Sequence, residues 1–183
     1  MSTVVLISGS GTNLQAILDA GIPVSHVISN TSEAPGLLRA EKARIPWSAY
    51  PRLQDLEKYT TEICKQKDPN YIVLAGFMRI LNPNFIHEWN RKIINIHPSL
   101  LPAFKGNSAI KDAWEYGVKV TGVTVHYVDE GMDTGQIIAQ KAIRITGNDT
   151  LKSLEKKIHK VEHKMYPQVI GQMLTGFWPN GIY

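Results

Sequence analysis

Apolar positions along this chain follow two alternating rhythms. Unbroken apolar runs at Thr3 to Ser8, Val24 to Ser29, Tyr71 to Ala75 and Ile93 to Ile96 predict strands buried on both faces. Between them, spacings of three and four residues predict helices. Leu14, Ile17 and Leu18 mark one, a short helix covers Gly36 to Ala43, and Leu56, Tyr59 and Ile63 mark a third that stops at Asp68-Pro69-Asn70. A strand is predicted near Trp47 to Tyr50, and a short helix from Asn82-Pro83 through Trp89. This order predicts an α/β fold: a mostly parallel twisted sheet with helices on both faces.

After residue 100 the rhythm changes. Ala103 to Ser108 predicts an irregular loop and Ala109 to Tyr116 a helix. Gly122 to Val128 sets Val123, Val125 and Tyr127 against Thr124 and His126, the alternation of a half-buried strand, so His126 reads as a packed or surface residue. A glycine-flanked acidic loop, Asp129 to Gly135, leads to a strand over Gln136 to Ile145. Asp149 or Thr150 then caps a long helix with Leu151, Leu154, Ile158, Val161 and Met165 on its inner face, which Pro167 is expected to bend or break. The tail from Phe177 to Tyr183 reads as an edge strand.

Composition narrows the class. A hydrophobic fraction of 43% with 20% charged residues is that of a soluble globular protein. The net charge of +4 is small and scattered, and the densest basic stretch, Lys156 to Lys164, reads as the solvated face of a helix. Nucleic acid is therefore not expected as a partner, while anionic small molecules are favoured. The single cysteine, Cys64, excludes an internal disulfide and a multi-cysteine metal site, and reads as a small apolar residue on a helix. No apolar stretch approaches the roughly 18 residues a membrane span needs, and no leader precedes Thr3, so no membrane role and a cytoplasmic location are expected.

Three stretches carry candidate chemistry. Gly9-Ser10-Gly11-Thr12-Asn13 joins a strand to a helix, where free backbone N–H groups and the helix dipole favour an anion. Leu14 replaces the third glycine of a dinucleotide fingerprint, and the next strand ends in Ser29-Asn30 without an acid for a ribose; a single phosphate is preferred to NAD. Gly76-Phe77-Met78-Arg79-Ile80-Leu81 at a strand's carboxyl end either lines a flat apolar pocket or packs in the core with Arg79 turned to solvent.

The third stretch is central: Asn95, His97 and Pro98 close an apolar strand at the end where parallel sheets bind ligands. Asn95 and His97, two positions apart, share one face of that strand, where an amide can steady an oxyanion and an imidazole can pass a proton. The acidic loop has the wrong spacing for a calcium-binding EF-hand. Asp133 beside an imidazole would favour its protonated form and orient it. Glu162 and His163 read, from their own helix, as solvent-exposed.

Taken together, Leu6 to Gln15, Leu74 to Leu81, Asn95 to Pro102 and Asp129 to Gly135 resemble, in order and spacing, the glycinamide ribonucleotide formyltransferases, a folate-dependent formyltransferase family. The resemblance implies a Rossmann-like formyltransferase fold and a single domain over 1–183. Residues to about 100 would form the phosphate-binding half, and about 101–183 would complete the folate site and the sheet. It implies transfer of the formyl group of 10-formyltetrahydrofolate, a co-substrate, to the amine of glycinamide ribonucleotide in purine synthesis, without a metal.

On this resemblance Asn95, His97 and Asp133 are the catalytic residues, and Gly11, Thr12, Asn13 and Glu162 bind the ribonucleotide, Glu162 at its ribose. Met78, Arg79, Ile80, Leu81 and Asn95 border the folate. The enzyme is expected to act on small molecules as a monomer or homodimer. Two features depart from the pattern. Lys105-Gly106-Asn107-Ser108-Ala109 lacks a histidine that many members carry near this glycine, and no arginine near Arg52 is assigned to the folate. The rival readings are a formyltetrahydrofolate hydrolase, a methionyl-tRNA formyltransferase, which would need a further RNA-binding domain, and a non-catalytic phosphosugar-binding domain.

Overall fold

The computed structural model describes residues 1–177. Seven strands form one sheet: β1 (Thr3–Ile7), β2 (Val24–Ser29), β3 (Trp47–Ala49), β4 (Tyr71–Leu74), β5 (Ile93–His97), β6 (Val120–Tyr127) and β7 (Ile137–Arg144). Their spatial order is β3-β2-β1-β4-β5-β6-β7; the pairs from β3 to β5 are parallel, and β6 and β7 are added antiparallel. The helices are α1 (Thr12–Asp19), α2 (Pro35–Lys42), α3 (Leu53–Lys67), α4 (Pro83–Glu88), α5 (Ala109–Tyr116) and α6 (Leu151–Thr175). This is the α/β architecture that the two rhythms predict.

The alternation of side chains along each strand divides the core in two. Val5, Ile7, Val73, Ile94 and Ile96 face the side covered by α1, α2 and α6. Val4, Leu6, Ile72, Leu74 and Ile93 face α3 and α4. After β1 the chain winds out to β2 and β3, then crosses back to β4, so the carboxyl ends of β1 and β4 part at the point where the winding reverses. Open parallel sheets bind ligands at such a point.

Two expectations need correction. β6 is buried on both faces, not half-buried, because it lies inside the sheet between β5 and β7. Pro167 does not break α6, which runs unbroken over 25 residues with Pro167 buried inside it. Losing one backbone N–H is offset by the apolar face that the residues around it bury: Tyr166, Val169 and Ile170 join Leu154 and Ile158 in the core, whereas Leu151, Val161 and Met165 are only partly buried. The start of α6 is set by Thr150, whose hydroxyl accepts from Ser153 N–H while the Ser153 hydroxyl accepts from Thr150 N–H. The expected edge strand over Phe177 to Tyr183 lies, apart from Phe177, outside the described residues. No described helix is long and apolar enough to cross a membrane.

Candidate active site

Two clefts meet at the carboxyl edge of the sheet, one on each face. The first, of about 520 Å³, runs between the turn after β1 and α6. Here Gly11 has φ +69, and a Cβ on it would lie 2.7 Å from Gly36 Cα. Only glycine lets this turn rest against the start of α2. Gly36 N–H donates to Gly9 O at 3.0 Å, and the Arg39 guanidinium donates to Ser10 O at 2.8 Å. The turn is thus pinned from behind, and the first residues of α1, whose amides have no carbonyl ahead of them in the helix, line the cleft. Asn13 Oδ1 is buried there without a protein partner among the described residues. Gly11, Thr12, Asn13 and Glu162 all line this cleft. Against the exposure read from its helix alone, Glu162 is 4% exposed, and it accepts from His159 Nδ1 at 2.8 Å.

The second cleft, of about 220 Å³, opens on the α3 and α4 face. Met78, Arg79 and Ile80 form its open wall and Leu81 its buried floor, which decides between the two readings of that stretch in favour of a pocket. The wall is tied back to β1, because Met78 N–H donates to Ser8 Oγ at 2.7 Å.

Asn95 and His97 share one strand face, as their spacing predicts, and both line this second cleft. Across it the acidic loop brings Asp133 within reach of both histidines. His97 Nε2–H donates to Phe104 O at 2.7 Å, which leaves Nδ1 as the nitrogen facing Asp133 Oδ2, 3.4 Å away. The same Oδ2 accepts from Gly106 N–H at 2.8 Å, so the carboxylate is fixed as well as charged. The meeting of Asp133 with an imidazole, which spacing alone leaves open, is present.

His126 is packed, as expected, but it is packed into the site. It sits opposite Asn95 in the β5–β6 register. Its Nδ1–H donates to Tyr127 O at 2.8 Å, and its Nε2 accepts from the Asn95 amide at 3.3 Å. Asp133 Oδ1 stands 3.7 Å from the same Nε2, near enough to suggest an ion pair. Burial nevertheless lowers the His126 pKa below its usual value, and its accepting lone pair is already used, so the ring is neutral. Reading the sequence alone missed its place. The available signal was an inward-facing histidine on a strand that pairs with the Asn95 strand. The Phe104 carbonyl, a backbone group, gave no signal.

Chemically, the arrangement offers an amide donor and an imidazole with one nitrogen facing a fixed carboxylate, in the second cleft next to its junction with the first at Gly76, Met78, Ile96, Pro98 and Asn107. Among the described residues no group of three His, Cys, Asp or Glu is placed to hold a metal ion. Cys64 is buried on α3 away from both clefts, and burial pushes its thiol up to about 12, which leaves it inert at neutral pH.

A fold wound this way, with a glycine turn at a helix start in one cleft and an amide–imidazole–carboxylate group in the cleft beside it, is that of a group-transfer enzyme. The formyl transferase family model matches residues 1–170, and the chain belongs to that family. It is 45% identical to a phosphoribosylglycinamide formyltransferase of Bacillus subtilis, covering 93% of each chain. It is 40% identical to a human trifunctional purine biosynthetic protein, of which it spans only 18% while 94% of this chain is matched. A solved phosphoribosylglycinamide formyltransferase from Bacillus halodurans superposes with a TM-score of 0.89 at 41% identity, covering 96% of each chain.

Proposed function

We propose that this protein transfers the formyl group of 10-formyltetrahydrofolate to the amine of glycinamide ribonucleotide, giving formylglycinamide ribonucleotide and tetrahydrofolate. The observation that carries the reading is that the two clefts meet along Gly76, Met78, Ile96, Pro98 and Asn107, with Asn95, His97 and Asp133 lining the second cleft beside that seam. An anion-seating cleft suits a ribonucleotide phosphate, and the cleft with Met78, Arg79, Ile80 and Leu81 suits the flat ring of the folate. Gly11, Thr12 and Asn13 hold the phosphate through the free amides of α1, and Glu162 accepts from a ribose hydroxyl.

The amine nitrogen attacks the formyl carbon, and the carbonyl π electrons move onto oxygen. No protein nucleophile is needed. The Asn95 amide keeps one N–H for this oxyanion, because neutral His126 takes the other. His97 Nδ1, in its protonated form, is the second donor. When the tetrahedral intermediate collapses, the bond to the folate nitrogen breaks and that nitrogen takes up a proton. The His97 Nδ1 proton goes to that nitrogen, and the proton lost by the attacking amine passes through the Asp133 carboxylate to restore it on Nδ1. Each of these effects is worth on the order of 10²-fold in rate.

His97→Ala tests this assignment. The folded variant binds both ligands but loses turnover by about 10²-fold or more; a variant with near-normal turnover contradicts it.

A further inference from the structure

Among the described residues Tyr166 is the largest fully buried side chain, and it has no part in the steps above. It lies on α6 one turn after Glu162, facing the sheet. Burial pushes its phenol above the usual value, so the hydroxyl keeps its proton and donates. Two acceptors stand in reach, Leu74 O at 2.9 Å and Ile94 O at 3.1 Å. They belong to neighbouring strands, β4 and β5. A hydroxyl that needed only to satisfy its own proton would be served by one of them.

The place of these carbonyls in the sheet gives the contact its meaning. Leu74 and Asn95 form the last pair of the β4–β5 ladder. Past that pair the chain runs on from β4 into Gly76, and from β5 through Ile96 into Pro98, three residues of the seam between the clefts. The Ile94 carbonyl is half of the peptide group that joins Ile94 to Asn95. The Tyr166 hydroxyl therefore grips the sheet at the rung where β4 and β5 stop pairing. It holds the backbone of the oxyanion donor from the face opposite the second cleft.

We propose that Tyr166 is a positioning residue, its hydroxyl clamping the last rung of β4 and β5 and so setting where the Asn95 amide stands against the formyl oxygen. The inference rests on the formyl-transfer reading. Tyr166 touches neither substrate and acts through Asn95. The ends of elements open at the least cost in free energy. A donor must be held within about 0.5 Å of its productive position, and a misplacement of about 1 Å costs on the order of 10²-fold in rate. A buried hydroxyl across the last rung suppresses the opening that would move Asn95.

Tyr166→Phe tests this, because it removes the hydroxyl and keeps the ring that fills the core. Ile170→Val, one turn further along the same buried face, removes a methyl group without touching the clamp and controls for a general loss of stability. In folded Tyr166→Phe, kcat falls about tenfold with KM for both substrates within about twofold, while Ile170→Val keeps the wild-type kcat. With Asn95→Ala already in place, adding Tyr166→Phe changes kcat by less than about twofold, because the group it positions is gone. Wild-type kcat in Tyr166→Phe, or an undiminished further loss in the Asn95→Ala background, overturns the inference. A wild type that transfers no formyl group refutes the formyl-transfer reading, and amide hydrogen exchange then reads the clamp without catalysis. Exchange at residues 74–76 and 94–96 that is several-fold faster in Tyr166→Phe than in Ile170→Val supports the clamp, and equal exchange overturns it.

Discussion

His97 Nδ1 and the Asp133 carboxylate stand 3.4 Å apart, and the two residues that hold the His97 ring both have left-handed backbone: Phe104 at φ 51 and Asp133 at φ 52. Neither is a glycine, and strain of this kind costs roughly 1–3 kcal/mol at each position. The fold carries it at the loops that fix one imidazole between a carbonyl and a carboxylate. A ring held from both sides loses little by reorganising during reaction, which is the condition for efficient proton transfer.

Asp133→Asn keeps an oxygen that can accept from Gly106 N–H but removes the charge beside His97. Turnover is expected to fall about 10²-fold or more, with the thermal midpoint barely moved. Steady-state kinetics together with a thermal melt check this. Near-normal turnover in the folded variant contradicts the role given to Asp133.

Asn95→Ala removes the oxyanion donor and also the hydrogen bond to His126. The expected loss is again on the order of 10²-fold in kcat, with KM for the ribonucleotide little changed because Asn95 lies in the other cleft. A loss confined to the ribonucleotide KM would place Asn95 in binding instead.

The strands and helices were legible because their periodicity is strong: every predicted element within the described residues is present, with ends shifted by a residue or two except for α6, which runs on past Pro167 to Thr175. Asn95 and His97 were legible for the same reason, since the two-residue period of a strand puts them on one face whatever surrounds them. His126 was not, because its role depends on β6 pairing antiparallel with β5, a long-range register that local spacing does not encode. Glu162 was misjudged from its helix alone, since α6 is covered on more than one side, at the sheet and at the cleft. The helix does not break at Pro167 because helix propensity is weaker than the burial of Tyr166, Val169 and Ile170 around it.

Gly11→Ala is expected to destabilise the protein by about 1–3 kcal/mol and to raise KM for the ribonucleotide, since φ +69 and the approach to Gly36 both oppose a side chain. Gly9→Ala is the control, because a Cβ there meets nothing within 4 Å. Denaturant melts on the two variants read the difference. Equal stability would show that the turn relaxes freely.

The histidines predict a pH dependence of stability. Burial lowers the pKa of His126 below 6.5, and those of His26 and His163 likewise. A ring that is neutral when folded gives stability that is complete above the unfolded value and is lost as pH falls below it. His159 acts in the opposite sense, its contribution being lost as pH rises through its raised value. The more exposed His26 and His163 contribute less than His126. Unfolding free energy is therefore expected to fall from pH 7 to pH 5.5, by at most about 1.4 kcal/mol per pH unit for His126. Urea melts of the wild type and His126→Gln test this, with the variant showing the shallower slope. Equal slopes would mean that His126 is not the neutral partner of Asn95.

Direct transfer between two bound substrates is tested by following tetrahydrofolate release from 10-formyltetrahydrofolate with and without glycinamide ribonucleotide. Release that requires the ribonucleotide, with one formylated ribonucleotide formed per folate released, is the predicted result. Release at the same rate without the ribonucleotide would make the protein a hydrolase and contradict the account.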